Sequence, residues 1–278
     1  MRVCVTGATG FVGRHVLAEL ARRGIDTVAC RRAGSPAPAP VAAGRRWIDL
    51  DMDASMGGVH ERMLRPDVLL HLAWGGLPNY RSLHHFETEL PRQYDFLSSA
   101  VRGGLGHLVV AGTCFEYGMQ SGPLAAEAPT KPNNAYGFAK DALRKQLLFL
   151  QREQAFALSW CRLFYVYGEG QAPTSLYASL RRTAEAGEGT FAMSGGEQLR
   201  DYLPIEIVAR RLVDQALAPE GAGTVNLCSG VPRSVRALAE HWIAENGWTI
   251  SLDLGRYPYH DHEPFAFWGE PAEIFHVR

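Results

Sequence analysis

Tyr136 and Lys140 are four positions apart, and their side chains could together deliver a proton to a substrate. They begin a helix predicted over residues 136–154, where positions four apart lie on the same face. A phenol has a pKa of about 10, and a neighbouring cation lowers it. We therefore expect Lys140 to lower the pKa of Tyr136 and make the pair a proton donor to an alcohol or ketone centre. The alternative interpretation is a surface tyrosine and a solvated lysine that have this spacing without a role in chemistry.

The sequence GATGFVG at residues 7–13 is typical of a turn that binds a dinucleotide. It follows an apolar strand predicted over residues 2–6 and precedes a predicted helix, which is the context such a turn requires. Gly7 permits a tight turn, Gly10 lets backbone N–H groups approach a diphosphate, and Gly13 lets helix and strand pack closely. An ordinary turn between strand and helix is the alternative.

Two arginines, Arg31 and Arg32, end the second predicted strand, residues 26–30. At this place an acidic side chain usually binds a free ribose 2′-hydroxyl, whereas arginine accommodates a 2′-phosphate. The forked guanidinium also matches the geometry of a phosphate. The pair favours NADP(H) as the cofactor, with NAD(H) possible, because two solvated surface arginines would look the same.

Strand and helix patterns alternate through the first half of the chain. Further strands are predicted over residues 46–48, 67–72 and 107–111, with a helix over residues 83–101. The alternation predicts an α/β fold, a Rossmann-type doubly wound parallel sheet. Ligands bind at the carboxyl ends of the strands in such a sheet, and the motifs above fall at those ends.

The chain resembles the extended short-chain dehydrogenases, the nucleotide-sugar epimerase/dehydratase family, over residues 1 to about 230. The resemblance lies in the glycine turn, in GTCFEYG at residues 112–118 and in YGFAK at residues 136–140. It implies a Ser/Thr–Tyr–Lys triad of Thr113, Tyr136 and Lys140, in which the threonine polarises the substrate carbonyl. It also implies cofactor contacts at Gly7, Gly10, Phe11, Val12, Gly13, Arg31, Arg32, Asp49, Leu50, Leu72, Ala73, Trp74, Tyr136, Lys140 and Val166. The implied substrate contacts are Thr113, Phe115, Glu116, Tyr165 and Arg200, the last of which binds the sugar diphosphate.

The chain departs from the family pattern at three places. Sugar dehydratases of the family carry an acid–base carboxylate pair where this chain has Cys114 and Phe115, so dehydratase chemistry is disfavoured. Related sequences often have asparagine in place of Tyr165. The segment at residues 257–268 is rich in aromatic residues, and its HDHE run at 260–263 predicts a loop lining the substrate pocket and no metal site.

Composition limits the other possibilities. The chain has 278 residues, of which 46% are hydrophobic, and a net charge of −1, so no basic field indicates binding to nucleic acid. Dispersed cysteines and the lack of a long apolar run predict a cytoplasmic protein that does not enter a membrane. We expect a dinucleotide-binding core over residues 1–165 and a small C-terminal substrate-binding lobe, mainly residues 166–278 and interleaved with the core.

The predicted function is the NADPH-dependent reduction of the keto group of a nucleotide-activated 4-keto-6-deoxyhexose. One alternative is a nucleotide-sugar 4-epimerase with the same triad and a tightly bound NAD. Another is a non-catalytic regulatory protein that binds NADP. The resemblance further implies a homodimer formed through the helices near residues 83–101 and 136–154.

Overall fold

A computed structural model describes residues 1–35, 45–53, 57–259 and 263–272 of the chain. Its strands, in chain order, are β1 (Arg2–Thr6), β2 (Asp26–Arg31), β3 (Arg45–Asp49), β4 (Val68–His71), β5 (His107–Thr113), β6 (Gly122–Leu124), β7 (Ala157–Leu163), β8 (Tyr165–Tyr167), β9 (Thr190–Ala192), β10 (Leu199–Arg200), β11 (Tyr202–Pro204), β12 (Gly223–Leu227), β13 (Arg233–Ser234), β14 (Ser251–Asp253) and β15 (Phe267–Gly269). Its helices are α1 (Phe11–Arg22), α2 (Val59–Arg62), α3 (Leu90–Arg102), α4 (Ala135–Leu150), α5 (Leu176–Glu185), α6 (Ile205–Leu217) and α7 (Val235–Asn246).

Seven parallel strands form the central sheet, in the order β12–β7–β5–β4–β1–β2–β3. The chain begins in the middle at β1, builds outward through β2 and β3, and then crosses back to β4 and β5 on the other side. This reversal beside β1 creates the crevice in which doubly wound sheets bind their ligands. The predicted Rossmann-type fold is thereby confirmed.

Hydrophobic side chains cover both faces of the sheet. On one face, Val3 and Val5 of β1 pack with Val16 of α1 and Leu212 of α6. On the other face, Cys4 packs against residues of α3 and α4. Alternate residues of a strand point to opposite faces, so a strand buried on both sides is apolar at successive positions, as β1 is from Val3 to Val5.

The second half of the chain contributes to the sheet and also builds a smaller hydrophobic cluster of its own. β12 pairs with β7 at the edge of the sheet, and α6 packs beside α1. The separate cluster contains Leu180 of α5, Phe191 of β9 and Trp242 of α7. The division into a core and an interleaved lobe stays our interpretation of these two arrangements.

Two predicted helices differ from the observed ones at their ends. The helix predicted over residues 83–101 begins as a π-helical turn, His85–Glu89, and continues as α3 with Pro91 in its first turn. Proline is tolerated there because the first N–H groups of a helix have no partner within it. The helix predicted to reach residue 154 ends at Leu150. No helix in the described parts of the chain is both long and apolar enough to cross a membrane.

Candidate active site

The turn between β1 and α1 is shaped by its glycines. Gly7 has a φ of +65°, and a Cβ there would lie 2.8 Å from the backbone nitrogen of Ala73. A Cβ on Gly13 would lie 2.1 Å from the carbonyl oxygen of Gly7. Both positions therefore require glycine, and the requirement follows from close backbone approach as the sequence predicted.

The N-terminus of α1 suits an anion. No side chain caps it at Gly10, and no acidic residue lies in its first turn. The first N–H groups of a helix lack partners within it and carry the positive end of its dipole. A diphosphate could bind to these groups without displacing a side chain.

A cavity of about 630 Å³ opens beside this turn, along the carboxyl ends of β1, β2 and β4. Eight of the predicted cofactor residues line it, namely Gly7, Gly10, Arg31, Arg32, Leu50, Leu72, Ala73 and Trp74. Gln93 and Arg92 of α3, which sequence reasoning missed, line it too. The residues of this cavity fit a dinucleotide by shape, by the glycine turn and by the helix N-terminus.

Other predicted cofactor residues lie elsewhere. Phe11 and Val12 are partly buried and pack against the core on the α1 face. Gly13 is buried beneath the turn, and Val166 lies in β8, which pairs with β11. The predicted cofactor contact Asp49 is not among the described residues that line the cavity. Its carboxylate instead accepts a hydrogen bond from Arg31.

The two arginines after β2 have different surroundings. The Arg31 Nε lies 2.7 Å from the Asp49 Oδ1, so this guanidinium is partly neutralised and fixed. Arg32 is exposed and, within the described residues, forms no ion pair with a carboxylate. Arg32 is therefore the more available cation in the cavity.

Tyr136 is fixed at the start of α4. Asn134 caps the helix by accepting a hydrogen bond from the Gly137 N–H at 2.8 Å, and the Tyr136 N–H donates to the Tyr80 carbonyl at 3.0 Å. A Cβ on Gly137 would lie 2.5 Å from the Phe115 carbonyl oxygen, so glycine lets α4 approach this loop. These contacts aim the phenol into the site.

Four other aromatic rings surround Tyr136, with centroids 5.3–6.4 Å away. They belong to Trp74, Tyr80, His85 and Phe115. The Trp74 indole N–H donates to His85 Nδ1 at 3.1 Å, which leaves Nε2 as the protonated nitrogen of that imidazole. Sequence reasoning missed Tyr80 and His85, because neither belongs to a recognised motif.

The Lys140 ammonium also points into the site of Tyr136 and is held there by two contacts. Its Nζ donates to the Ala111 carbonyl at 2.9 Å and lies 4.0 Å from the centroid of the Trp74 ring. Burial lowers the pKa of Lys140 from 10.5 to about 7, and the negative charges of Glu116 and Glu89 oppose that change. Trp74 also lines the dinucleotide cavity, whereas Lys140 and Tyr136, both predicted cofactor contacts, are not among its lining residues.

The expected lowering of the Tyr136 pKa is not observed. Burial raises the pKa of Tyr136 well above its usual value, and a hydrogen bond with Thr113 opposes the rise only in part. Desolvation disfavours the phenolate more than the neighbouring groups favour it. Tyr136 is therefore protonated at neutral pH, which is the state that a proton donor needs.

Thr113 ends β5 and caps the short 3-10 turn that follows, Cys114–Tyr117. Its side-chain oxygen accepts a hydrogen bond from the Phe115 N–H at 3.3 Å. Thr113 is thereby brought to Tyr136, as the triad requires. Thr113, Tyr136 and Lys140 thus meet at the carboxyl end of β5.

Glu116, predicted to contact substrate, instead lies fully buried behind β5. Its Oε1 accepts from the Thr113 N–H and from the Trp160 indole, both at 2.9 Å. Its Oε2 accepts from Arg162 Nε at 2.7 Å. A carboxylate held by three donors and closed off from solvent supports the backbone of Thr113 and does not reach a ligand.

Cys114 and Phe115 leave the site without the carboxylate pair of a dehydratase. Burial raises the pKa of the Cys114 thiol well above its usual range, so the thiol stays protonated and cannot serve as a base at neutral pH. The Phe115 ring packs on Tyr80, with 4.9 Å between centroids. It supplies an apolar wall beside Tyr136.

A second cavity, of about 940 Å³, lies in the C-terminal half, and two of the predicted substrate residues, Tyr165 and Arg200, line it. Glu263 lines it as well. The Tyr165 hydroxyl donates to Glu263 Oε2 at 2.6 Å, and Arg200 Nη2 donates to the same oxygen at 3.0 Å. The sequence predicted a pocket-lining loop here but assigned no role to Glu263.

His71 is a buried core residue, and only part of the HDHE run is described. His71 is fully buried, its ring bonded to Thr6 and Gln93 at 2.8 Å each, and burial lowers its pKa to about 3. Of the HDHE run, only Glu263 is described. No group of side chains suited to a metal ion occurs within the described residues.

Comparisons with known proteins show the family to which the chain belongs. The model of the NAD dependent epimerase/dehydratase family matches residues 3–227. A dTDP-6-deoxy-L-talose 4-dehydrogenase (NAD(+)) of Aggregatibacter actinomycetemcomitans is 30% identical over 271 residues, which cover 97% of this chain and 99% of that protein. A UDP-glucose 4-epimerase of Lactobacillus helveticus is 23% identical over 74% of this chain and 69% of its own. The solved structure of MoeE5 in complex with UDP-glucuronic acid and NAD has a TM-score of 0.80 and 25% identity, and the match covers 100% of this chain and 92% of that one. The chain is an enzyme of the NAD-dependent epimerase/dehydratase family.

Proposed function

We propose that this enzyme uses NADPH to reduce the keto group of a nucleotide-activated 4-keto-6-deoxyhexose. The observation that carries the proposal is the meeting of a protonated phenol, Tyr136, with the hydroxyl of Thr113 and the ammonium of Lys140 at the carboxyl end of β5. A phenol that holds its proton at neutral pH is suited to donate it to a carbonyl oxygen that is becoming an alkoxide.

Each residue of the triad has one task in this reaction. The Thr113 hydroxyl binds the carbonyl oxygen and orients it, and Tyr136 gives its proton to that oxygen as negative charge develops there. Lys140, which contacts Trp74 of the dinucleotide cavity, holds the nicotinamide ribose. The bound NADPH supplies the hydride.

The surroundings of the triad support a reaction without loss of water from the sugar. Dehydration needs a second acid–base pair near the substrate. The buried Cys114 thiol and the fully engaged Glu116 carboxylate cannot act as one. Reduction needs only the triad and the cofactor.

The relatives support the choice of substrate. The name of the 30% identical relative states a 4-dehydrogenase of dTDP-6-deoxy-L-talose. Oxidation at the 4-hydroxyl of that sugar gives a 4-keto-6-deoxyhexose, and the proposed reaction is the reverse. The preference for NADPH rests on Arg32, the more available of the two arginines that follow β2, with Arg31 held beside it by Asp49.

An activity screen tests the proposal. Purified enzyme is incubated with NADPH and nucleotide-activated 4-keto-6-deoxyhexoses, and the sugar product is identified by NMR. We expect a 4-hydroxy-6-deoxy sugar nucleotide from at least one substrate. Conversion of a nucleotide sugar into its 4-epimer without added cofactor would instead identify the epimerase.

A further inference from the structure

Arg200, the residue expected to bind the substrate diphosphate, is buried and already bonded to groups of this chain. Its side chain is 6% exposed. Its Nη1 donates to the carbonyl oxygens of Leu199 at 2.9 Å and Phe265 at 3.1 Å. These two bonds fix the plane of the guanidinium and direct its opposite edge, Nε and Nη2, towards Glu263.

The Nε–Nη2 edge is the part of a guanidinium that offers two parallel donors to a carboxylate or a phosphate. Both atoms donate to Glu263 Oε2, at 3.3 and 3.0 Å. The Tyr165 hydroxyl donates to the same oxygen at 2.6 Å. Glu263 thus occupies the position that a phosphate oxygen of the substrate needs.

The Glu263 carboxylate lies in the wall of the second cavity, together with Arg200. Burial raises the pKa of Tyr80, and the charge of Glu263 adds to that rise. The Tyr80 ring packs on Tyr136, with 5.6 Å between centroids. A diphosphate bound at Arg200 would place its negative charge directly against the Glu263 carboxylate. The two like charges would repel each other.

We propose that Glu263 is a displaceable counter-ion of Arg200, which gives way when a nucleoside diphosphate binds and so sets the affinity of the site for nucleotide sugars. The inference rests on the proposed function only in that the substrate carries a nucleoside diphosphate. A buried guanidinium without a partner is costly, and Glu263 neutralises it until the substrate does so. The same position puts Glu263 next to the bound diphosphate, and the charge repulsion between them weakens binding of the nucleotide.

Calorimetric titration with dTDP and with UDP, without cofactor, tests this directly. Glu263→Gln keeps the shape of the side chain but removes its charge, and we expect it to bind the preferred nucleotide roughly tenfold more tightly than the unmodified enzyme. Glu240→Gln is the matched control, since Glu240 pairs with Arg236 on the surface of α7, and it should leave the affinity unchanged. In an Arg200→Gln background, Glu263→Gln should change the affinity by less than about twofold, because the pair has been removed.

If Glu263→Gln does not fold, Glu263→Asp takes its place. The shorter side chain withdraws the carboxylate from Arg200, so tighter binding is again expected, by a smaller factor. Unchanged or weaker binding in the folded variant would overturn the proposal, because Glu263 would then support the site. Lack of binding of either nucleotide to any of the variants would also overturn it. Since no hydride transfer is measured, these outcomes are independent of whether the enzyme is a ketoreductase.

Discussion

Replacing Lys140 with methionine should make the protein more stable and nearly inactive. The ammonium is buried, and its pKa is lowered from 10.5 to about 7, mainly by burial. The unfolded chain therefore binds more protons than the folded chain between these two values, and stability rises with pH across that window. Below about pH 7 the buried charge of this lysine lowers the free energy of unfolding by its full amount.

The size of the effect follows from the same values. One pH unit corresponds to about 1.4 kcal/mol, so the penalty at pH 7 is about 4 kcal/mol. Methionine gives up the hydrogen bond to Ala111, about 1 kcal/mol, whereas the cation contact with Trp74 exists only in the charged form and already contributes to the pKa. We expect Lys140→Met to be more stable by about 4 kcal/mol at pH 6, about 3 kcal/mol at pH 7 and about 1 kcal/mol near pH 9.

Urea unfolding followed by circular dichroism at these three pH values measures the difference, and turnover is assayed on the same samples. Lys145→Met is the control, because Lys145 lies on the same helix with 53% of its side chain exposed and pairs with Asp141 at 2.6 Å. It should lose less than about 1 kcal/mol, with little dependence on pH. A Lys140→Met protein that is less stable than the unmodified protein by the same amount at every pH would refute a lowered pKa of Lys140.

Two further predictions concern the chemistry and the cofactor. Tyr136→Phe should keep the fold and cofactor binding but lose turnover by about 10²-fold or more, the usual scale for a general acid. The control variant Tyr94→Phe on α3 should keep its turnover. Near-normal turnover of Tyr136→Phe would exclude Tyr136 as the proton donor. Replacing both Arg31 and Arg32 with alanine should weaken NADPH binding by at least about tenfold, since a charge-assisted hydrogen bond contributes about 1.5–3 kcal/mol, and should hardly change NADH binding. Arg32→Ala should account for most of that loss, and the surface variant Arg46→Ala for none of it. Fluorescence titration of each variant with NADPH and with NADH measures the affinities. Equal losses for the two cofactors would mean that neither arginine binds the 2′-phosphate.

The fold and the common helix face of Tyr136 and Lys140 could be predicted because their signals are local. An apolar strand, a glycine turn and an amphipathic helix each follow from residues within a short window, and the spacing of Tyr136 and Lys140 fixes them on one face of α4. Self-association through the helices near residues 83–101 and 136–154 stays a prediction. Two aromatic side chains of α4, Phe138 and Phe149, are exposed.

What could not be predicted depends on partners that are distant in the sequence. Glu116 faces inward because Trp160 and Arg162 of β7, 44 and 46 residues away, supply its donors. Glu263 reaches Tyr165 across 98 residues. The Tyr136 pKa was expected to fall because a cation lies one turn away, but complete burial of the phenol outweighs that neighbour.

The fate of the hydride is the most direct test of the proposed reaction. The enzyme is incubated with a nucleotide-activated 4-keto-6-deoxyhexose and NADPH deuterated at C4 of the nicotinamide, and the loss of NADPH absorbance is compared with the deuterium found at C4 of the sugar. We expect the protein to take up cofactor reversibly and to consume one NADPH for each sugar reduced, with the label in the product. Protein that purifies with tightly bound NAD and interconverts two 4-hydroxy nucleotide sugars without consuming cofactor would contradict it.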